Sequence, residues 1–328
     1  MTPAQPPAIL VAGPTASGKS ALALALAESL GGTVINADSM QVYAGLRVLT
    51  ARPTPAEEAR VPHLLYGVRP PGEAGTVAWW RGAALAAMAE AQVAGRVPIL
   101  CGGTGLYFLS LTEGLSAIPP VPEAARAEAR RLLAEEGPAA LHARLAVLDP
   151  ETAAALRPSD SQRLARAYEV VTGTGRGLRD WQREGGTGPA PWRFAAILLD
   201  PPRDALRAAI TARWQGMLDQ GALEEVRALA AQGLDPALPA MRAHGVPELI
   251  AHLEGRMTLA AASARAILNT GQYTKRQATW FRHHALARPE HAHSIHARAD
   301  GLSQLSESVL GHLRMFVYPG VDASQHRG

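Results

Sequence analysis

The chain has 328 residues, with 32 Lys and Arg against 29 Asp and Glu; a net charge of +3 excludes global attraction to a polyanion, so any nucleic-acid footprint must come from local clustering. A single cysteine, Cys101, excludes an internal disulfide and fits a reducing cytoplasm. The start, residues 1–7, is polar and proline-rich rather than a signal peptide, and no apolar run reaches the roughly 18 residues of a membrane span; no membrane partner is expected, and the length allows one large domain or two.

In chain order, Ile9-Leu10-Val11-Ala12 reads as a buried strand. It leads into Gly13-Pro14-Thr15-Ala16-Ser17-Gly18-Lys19-Ser20, a full match to G-x-x-x-x-G-K-[ST], and then into an Ala/Leu helix over 21–30 that ends at Gly31-Gly32. In that context the loop wraps a di- or triphosphate. Backbone N–H groups and the helix N-terminus face the anion, Lys19 adds a point charge, and Ser20 can ligate Mg²⁺. A second strand, Thr33-Val34-Ile35-Asn36, ends in Ala37-Asp38-Ser39-Met40-Gln41. After a Pro-rich loop at 50–55 come a strand over 63–68 and a helix over 77–94 whose apolar face includes Trp80, Leu85 and Met88. A further buried strand, 97–101, is closed by Gly102-Gly103-Thr104-Gly105. Strands alternating with helices predict an α/β fold, a parallel sheet flanked by helices. Ligands of such sheets sit beyond the carboxyl ends of the strands, so the turns at 13–20, 38–41 and 102–104 should converge on one site. Asp38 either enters that site or serves as an N-cap.

After Pro119-Pro120-Val121-Pro122 only helical segments follow, to about residue 184, with starts at Asp149-Pro150-Glu151 and Ser159-Asp160. A strand returns at 194–199, which predicts a core of 1–119 and 191–328 interrupted by an all-helical insertion, 120–190. From Arg203 to Ala287 the chain is mainly helical, and 318–328 reads as a frayed tail. In the second half of the insertion Arg157, Arg163, Arg166, Arg176, Arg179 and Arg183 outnumber Asp160, Glu169 and Asp180. Residues 255–289 hold no acid but carry Lys275, Arg276 and Arg282 among Tyr273, Trp280 and Phe281. This suits phosphate contacts with base stacking, or equally a solvated basic helix whose aromatics face the core. His283, His284, His291, His293 and His296 lack a carboxylate or cysteine at ligand spacing and read as surface histidines. Asp200 resembles the metal-binding acid of nucleotide hydrolases, but a cap on the Pro201-Pro202 turn is preferred.

The loop at 13–20, Asn36-Ala37-Asp38-Ser39-Met40-Gln41-Val42-Tyr43 and Gly102-Gly103-Thr104-Gly105-Leu106-Tyr107 together resemble the tRNA dimethylallyltransferase (tRNA isopentenyltransferase) family, bacterial type. So do Gln162-Arg163-Leu164-Ala165-Arg166-Ala167 with Glu169, Leu238-Pro239-Ala240-Met241-Arg242, and Lys275-Arg276-Gln277 with Thr279-Trp280-Phe281-Arg282. The resemblance spans about residues 9–284. It implies a P-loop NTPase-like core that transfers a dimethylallyl group from its diphosphate to N6 of the adenine 3′ of the anticodon in tRNA. By the same resemblance the loop holds the donor's pyrophosphate, with Lys19, Arg242 and Mg²⁺ on Ser20 neutralising it, and Asp38 takes the amine proton. Thr104 lies at the substrate channel, and Gln41 can read an adenine edge. Residues 38–41, Arg126, Gln162 to Arg166 and the Lys275, Arg276 and Arg282 cluster would meet the anticodon stem-loop, and a cytoplasmic monomer is implied. The chain departs from the family pattern at Arg52, at His63-Leu64 and at Gly245-Val246-Pro247-Glu248. The last loses an arginine and adds a helix-restricting proline. Two rivals share the loop: a small-molecule or nucleotide kinase, and an RNA-binding NTPase switch that would use Asp200 for Mg²⁺.

Overall fold

The computed structural model describes residues 5–319; the two ends of the chain, 1–4 and 320–328, lie outside the described residues. Strand β1 (Pro7–Ala12) is buried from Ala8 onward, and its alternation sends Ala8, Leu10 and Ala12 to one face of a sheet and Ile9 and Val11 to the other. It pairs in parallel with β4 (Val97–Gly102) on one side and β5 (Arg193–Leu199) on the other. Outside β4 lie β2 (Gly32–Asn36) and β3 (His63–Leu64); outside β5 lies β6 (Ala292–Ile295). The sheet is parallel throughout, in the order β3-β2-β4-β1-β5-β6. The strand expected over 63–68 stops after two residues because Leu65 and Gly67 take left-handed φ angles of 64° and 61°. Strand β6 has no counterpart among the expected elements.

In chain order the helices are α1 (Lys19–Leu30), α2 (Pro55–Arg60), α3 (Val77–Val93), α4 (Gly105–Thr112), α5 (Glu123–Glu135), α6 (Gly137–Leu148) and α7 (Pro150–Ala155). There follow α8 (Ser161–Thr174), α9 (Leu178–Glu184), α10 (Arg203–Asp219), α11 (Ala222–Ala230), α12 (Val246–Leu253), α13 (Leu259–Arg282) and α14 (Glu307–Val317). One sheet face is covered by α1, through Leu22, Leu26 and Leu30, and by α14, through Leu313, Phe316 and Val317. Each of those leucines contributes about 1.5–3 kcal/mol by leaving water. On the other face Trp80 and Met88 of α3, Phe108 of α4, Trp214 of α10, Leu249 of α12 and Phe281 of α13 build the larger core.

Contacts divide the chain into a unit at Glu113–Pro189 and a second unit formed by the chain before and after it. The first is helical, α5 to α9, around Leu132, Leu141, Leu145, Leu164 and Tyr168. Its helices begin where local capping predicts: Asp149 accepts from the Thr152 N–H at 3.0 Å and Asp160 from the Arg163 N–H at 3.3 Å. The unusual Pro247 is harmless because it lies in the first turn of α12, where a proline has no hydrogen bond to break. Among the described residues no helix is long and apolar enough to cross a membrane.

Candidate active site

The turn after β1 has the backbone geometry that a phosphate loop needs. Gly18 caps α1 with φ 91°, and a Cβ there would lie 1.8 Å from the Ala299 carbonyl oxygen, so only glycine fits. The loop is clamped from behind: Ala299 N–H donates to Ser17 O at 3.0 Å and Arg298 Nε to Ala16 O at 2.9 Å. The first turn of α1 holds no acid, which leaves its positive end for a ligand. Lys19 is buried, with Nζ 3.4 Å from Pro14 O. Burial pulls its pKa below the usual lysine value, and the negative charge of Asp38 opposes that fall. Ser20 is exposed at the mouth of the loop.

The turn after β2 is held by Asn36, whose side chain donates to the Asp38 and Leu65 carbonyls and accepts the Asp38 N–H. Asp38 Oδ1 accepts the Met40 N–H at 3.0 Å, so its capping role is a local turn and not a helix. Thr104, beyond β4, accepts the Ser39 N–H on its hydroxyl at 2.9 Å and donates its own N–H to Ala37 O at 3.2 Å. Two of the three turns expected to converge, 38–41 and 102–104, are thus joined directly by hydrogen bonds. Gln41 spends its side-chain NH₂ on the carbonyls of Thr50 and Ala51, holding the following loop rather than projecting it outward.

Two cavities meet here. Thr15 and Asp38 line one of about 80 Å³ whose lining also includes the apolar Leu49, Ile210, Trp214 and Met217. Lys19, Ser20, Arg47, Arg52 and Arg298 line one of about 810 Å³. Arg213 and Met217 of α10 belong to both. Burial pulls the Arg213 guanidinium below its usual pKa and the Asp38 charge opposes this, yet an arginine stays charged. Sequence reading missed Arg213, since a lone arginine in an amphipathic helix carries no signal. His244 and Tyr273 complete the small cavity with their rings 4.6 Å apart; burial, opposed by Glu248 and Asp38, lowers the imidazole pKa.

Other expected residues stand elsewhere. Arg242 is exposed on a short 3-10 turn and lines neither cavity. Lys275 and Arg276 are exposed on α13 with no carboxylate within 4 Å among the described residues, whereas Phe281 is buried in the core. Arg282 pairs with Asp200, so the acid neither caps a turn with its side chain nor stands free for a metal. In the insertion, Gln162, Arg163 and Arg166 are exposed, Ala165 is half-buried and Leu164 is core; Arg163 pairs with Asp160, Arg166 with Glu169 and Arg126 with Glu123. The histidines are not all at the surface: His291 and His293 are half-buried against His312. No group of three His, Cys, Asp or Glu residues among the described residues could hold a metal.

Comparison with known proteins decides the lineage. Residues 41–284 match the model of the IPP transferase family, and residues 7–65 that of isopentenyl transferases. The chain belongs to the IPP transferase family. It is 59% identical to a tRNA dimethylallyltransferase of Granulibacter bethesdensis over 94% of this chain and 97% of that one. A full-length tRNA isopentenylpyrophosphate transferase from Bacillus halodurans superposes with a TM-score of 0.66 at 30% identity, covering 95% of this family member and 96% of that protein. A eukaryotic dimethylallyltransferase acting on tRNA gives 0.70 at 25% identity, over 84% and 69% of the two chains.

Proposed function

We propose that this chain transfers the dimethylallyl group of dimethylallyl diphosphate to N6 of the adenine just 3′ of the anticodon in tRNA, releasing diphosphate. One observation carries the reading: the phosphate loop, through Thr15, and Asp38 share a cavity with an apolar wall suited to a short hydrocarbon chain. As the N6–C1 bond forms, the C1–O bond of the donor breaks and its electron pair leaves with the diphosphate. The N6 proton passes to Asp38, which the Met40 N–H orients. Lys19, Arg213, the loop amides and the N-terminus of α1 take up the charge that grows on the leaving group. The apolar wall keeps water from the allylic carbon.

The Ser20 hydroxyl, exposed in the cavity that Lys19 lines, is the group of the loop that would hold a Mg²⁺. When bound, the ion adds positive charge to the leaving group. Exposed Gln162, Arg163 and Arg166 on α8, half-buried Arg126 on α5, and exposed Lys275 and Arg276 on α13 supply RNA contacts, and the target base is splayed into the cavity. The tRNA substrate makes the enzyme cytoplasmic, and a monomer suffices because one chain carries every group in this scheme.

The test is an assay of labelled dimethylallyl diphosphate with unmodified tRNA, run beside labelled ATP. Prenyl incorporation lost in Asp38→Ala is expected. Phosphate release from ATP without prenyl transfer would return the chain to the kinase reading.

A further inference from the structure

The parallel ladder between β1 and β4 ends at Ala12 and Gly102. Past it the two loops are bridged by Gln277, a buried residue of α13. Its Oε1 accepts the Thr15 N–H at 2.9 Å and its Nε2 donates to Gly103 O at 2.9 Å. A Cβ on Gly103 would lie 2.2 Å from that nitrogen, so the bridge also accounts for the glycine. Gly103 leads directly to Thr104, whose hydroxyl holds the Ser39 N–H beside Asp38. A path of side-chain hydrogen bonds and intervening backbone thus runs from the phosphate loop through Gln277 and Thr104 to the Ser39 N–H, next to Asp38. One turn earlier on α13, Tyr273 lines the cavity of Asp38.

We infer that Gln277 is a positioning residue that fixes the separation between the loop holding the donor's diphosphate and the Asp38–Thr104 wall that faces the accepting amine. The inference rests on the prenyl-transfer reading above. The side chain acts through the two loops and not on the reacting atoms. Its chemistry is specific: the bridge needs one acceptor and one donor on a single planar group, which an amide supplies. Glutamate offers acceptors only, methionine fills the volume with neither, and asparagine is a methylene too short to reach both loops. Because each loop keeps its own internal hydrogen bonds, loss of the bridge leaves each substrate's binding intact and misaligns the two.

The experiment compares wild type with Gln277→Met and Gln277→Glu in single-turnover prenyl transfer, equilibrium binding of donor and of tRNA, thermal unfolding, and hydrogen exchange at the Thr15 amide. Gln277→Met should transfer about 10- to 100-fold more slowly, the scale of a small misplacement of reacting groups, with both affinities unchanged and faster Thr15 exchange. Gln277→Glu should keep Thr15 protected and still lose rate, because it cannot donate to Gly103. Gln277→Asn, with the same expected rate loss, serves if the methionine variant does not fold. An unchanged rate, or a loss fully explained by weaker binding or by unfolding, overturns the inference. If wild type transfers no prenyl group, the reaction assignment fails while the bridge is still judged by Thr15 exchange: unchanged exchange in Gln277→Met refutes it, and faster exchange upholds it.

Discussion

Arg282 and Asp200 form a two-pronged ion pair, Nε to Oδ2 at 2.9 Å and Nη2 to Oδ1 at 2.8 Å, that ties the end of α13 to the end of β5. Two residues that sequence alone assigns to different tasks, RNA contact and strand-end acid, are occupied with each other. Asp200→Asn should therefore leave the prenyl-transfer rate and its Mg²⁺ dependence unchanged. Because Arg282 is half exposed, the stability loss should be only about 1 kcal/mol. Denaturant unfolding and a Mg²⁺ titration of activity check this; a collapse in metal-dependent rate would return Asp200 to the metal site.

Arg213 and Arg242 make opposite predictions. Arg213 lines both cavities, the smaller one together with Asp38, so Arg213→Gln should lower kcat/KM for the donor by about 100-fold, the scale of losing one charge-stabilising group in a site, with tRNA affinity unchanged. Arg242→Gln should not approach that loss, since Arg242 lies outside both cavities. Steady-state kinetics on the pair decide; equal losses would mean that Arg242 swings in when the donor binds.

Lys19 gives a pH dependence with a definite sign. Its folded pKa is lowered chiefly by burial, so between that value and the ordinary lysine value of 10.5 the unfolded chain binds more protons than the folded one. The cost of burying the charged ammonium is fully present below the folded pKa and is relieved as pH rises through the window. The stability of wild type relative to Lys19→Met should rise with pH there and be flat below it, measured by unfolding at a series of pH values. Bound diphosphate restores the charged form, so donor binding in that window should take up protons, readable by calorimetry in buffers of different ionisation enthalpy.

The salt dependence of tRNA binding separates two classes of cation. Lys275 and Arg276 stand without a carboxylate among the described residues, whereas Arg166 lies 2.6 Å from Glu169. Neutralising Lys275 or Arg276 should reduce the slope of log K against log salt by about 0.7–0.9 for each phosphate that the side chain had neutralised. Arg166→Gln should change it less, because part of that charge is already compensated within α8. Binding titrations across salt test the order; equal slope changes would show that RNA displaces Glu169.

Much of the core was legible because local physics specifies it. An apolar run followed by glycines and a lysine can form little but a buried strand and an anion loop, and Asp149 and Asp160 cap helices with their own neighbours. Strand β6 was not legible, since Ala292 to Ile295 is only four residues and carries a single large apolar side chain, Ile295, so that only pairing with β5 makes it a strand. The expected strand over 63–68 is too long because two left-handed residues, Leu65 and Gly67, interrupt an apolar pattern that fits a strand.

By itself the sequence determined the glycine-rich turn and helix after β1, the acid that follows β2 and the glycine turn that follows β4, each written in contiguous residues. Tertiary structure alone decided what joins them: Arg213 in the cavity that Asp38 lines, and Gln277 between Thr15 and Gly103. Both come from helices that follow the sheet's central strands by more than a hundred residues, and their placement depends on how α10 and α13 dock on the larger core. Helical periodicity says which face is apolar; which polar residue at its edge then overhangs the strand ends is settled only by packing.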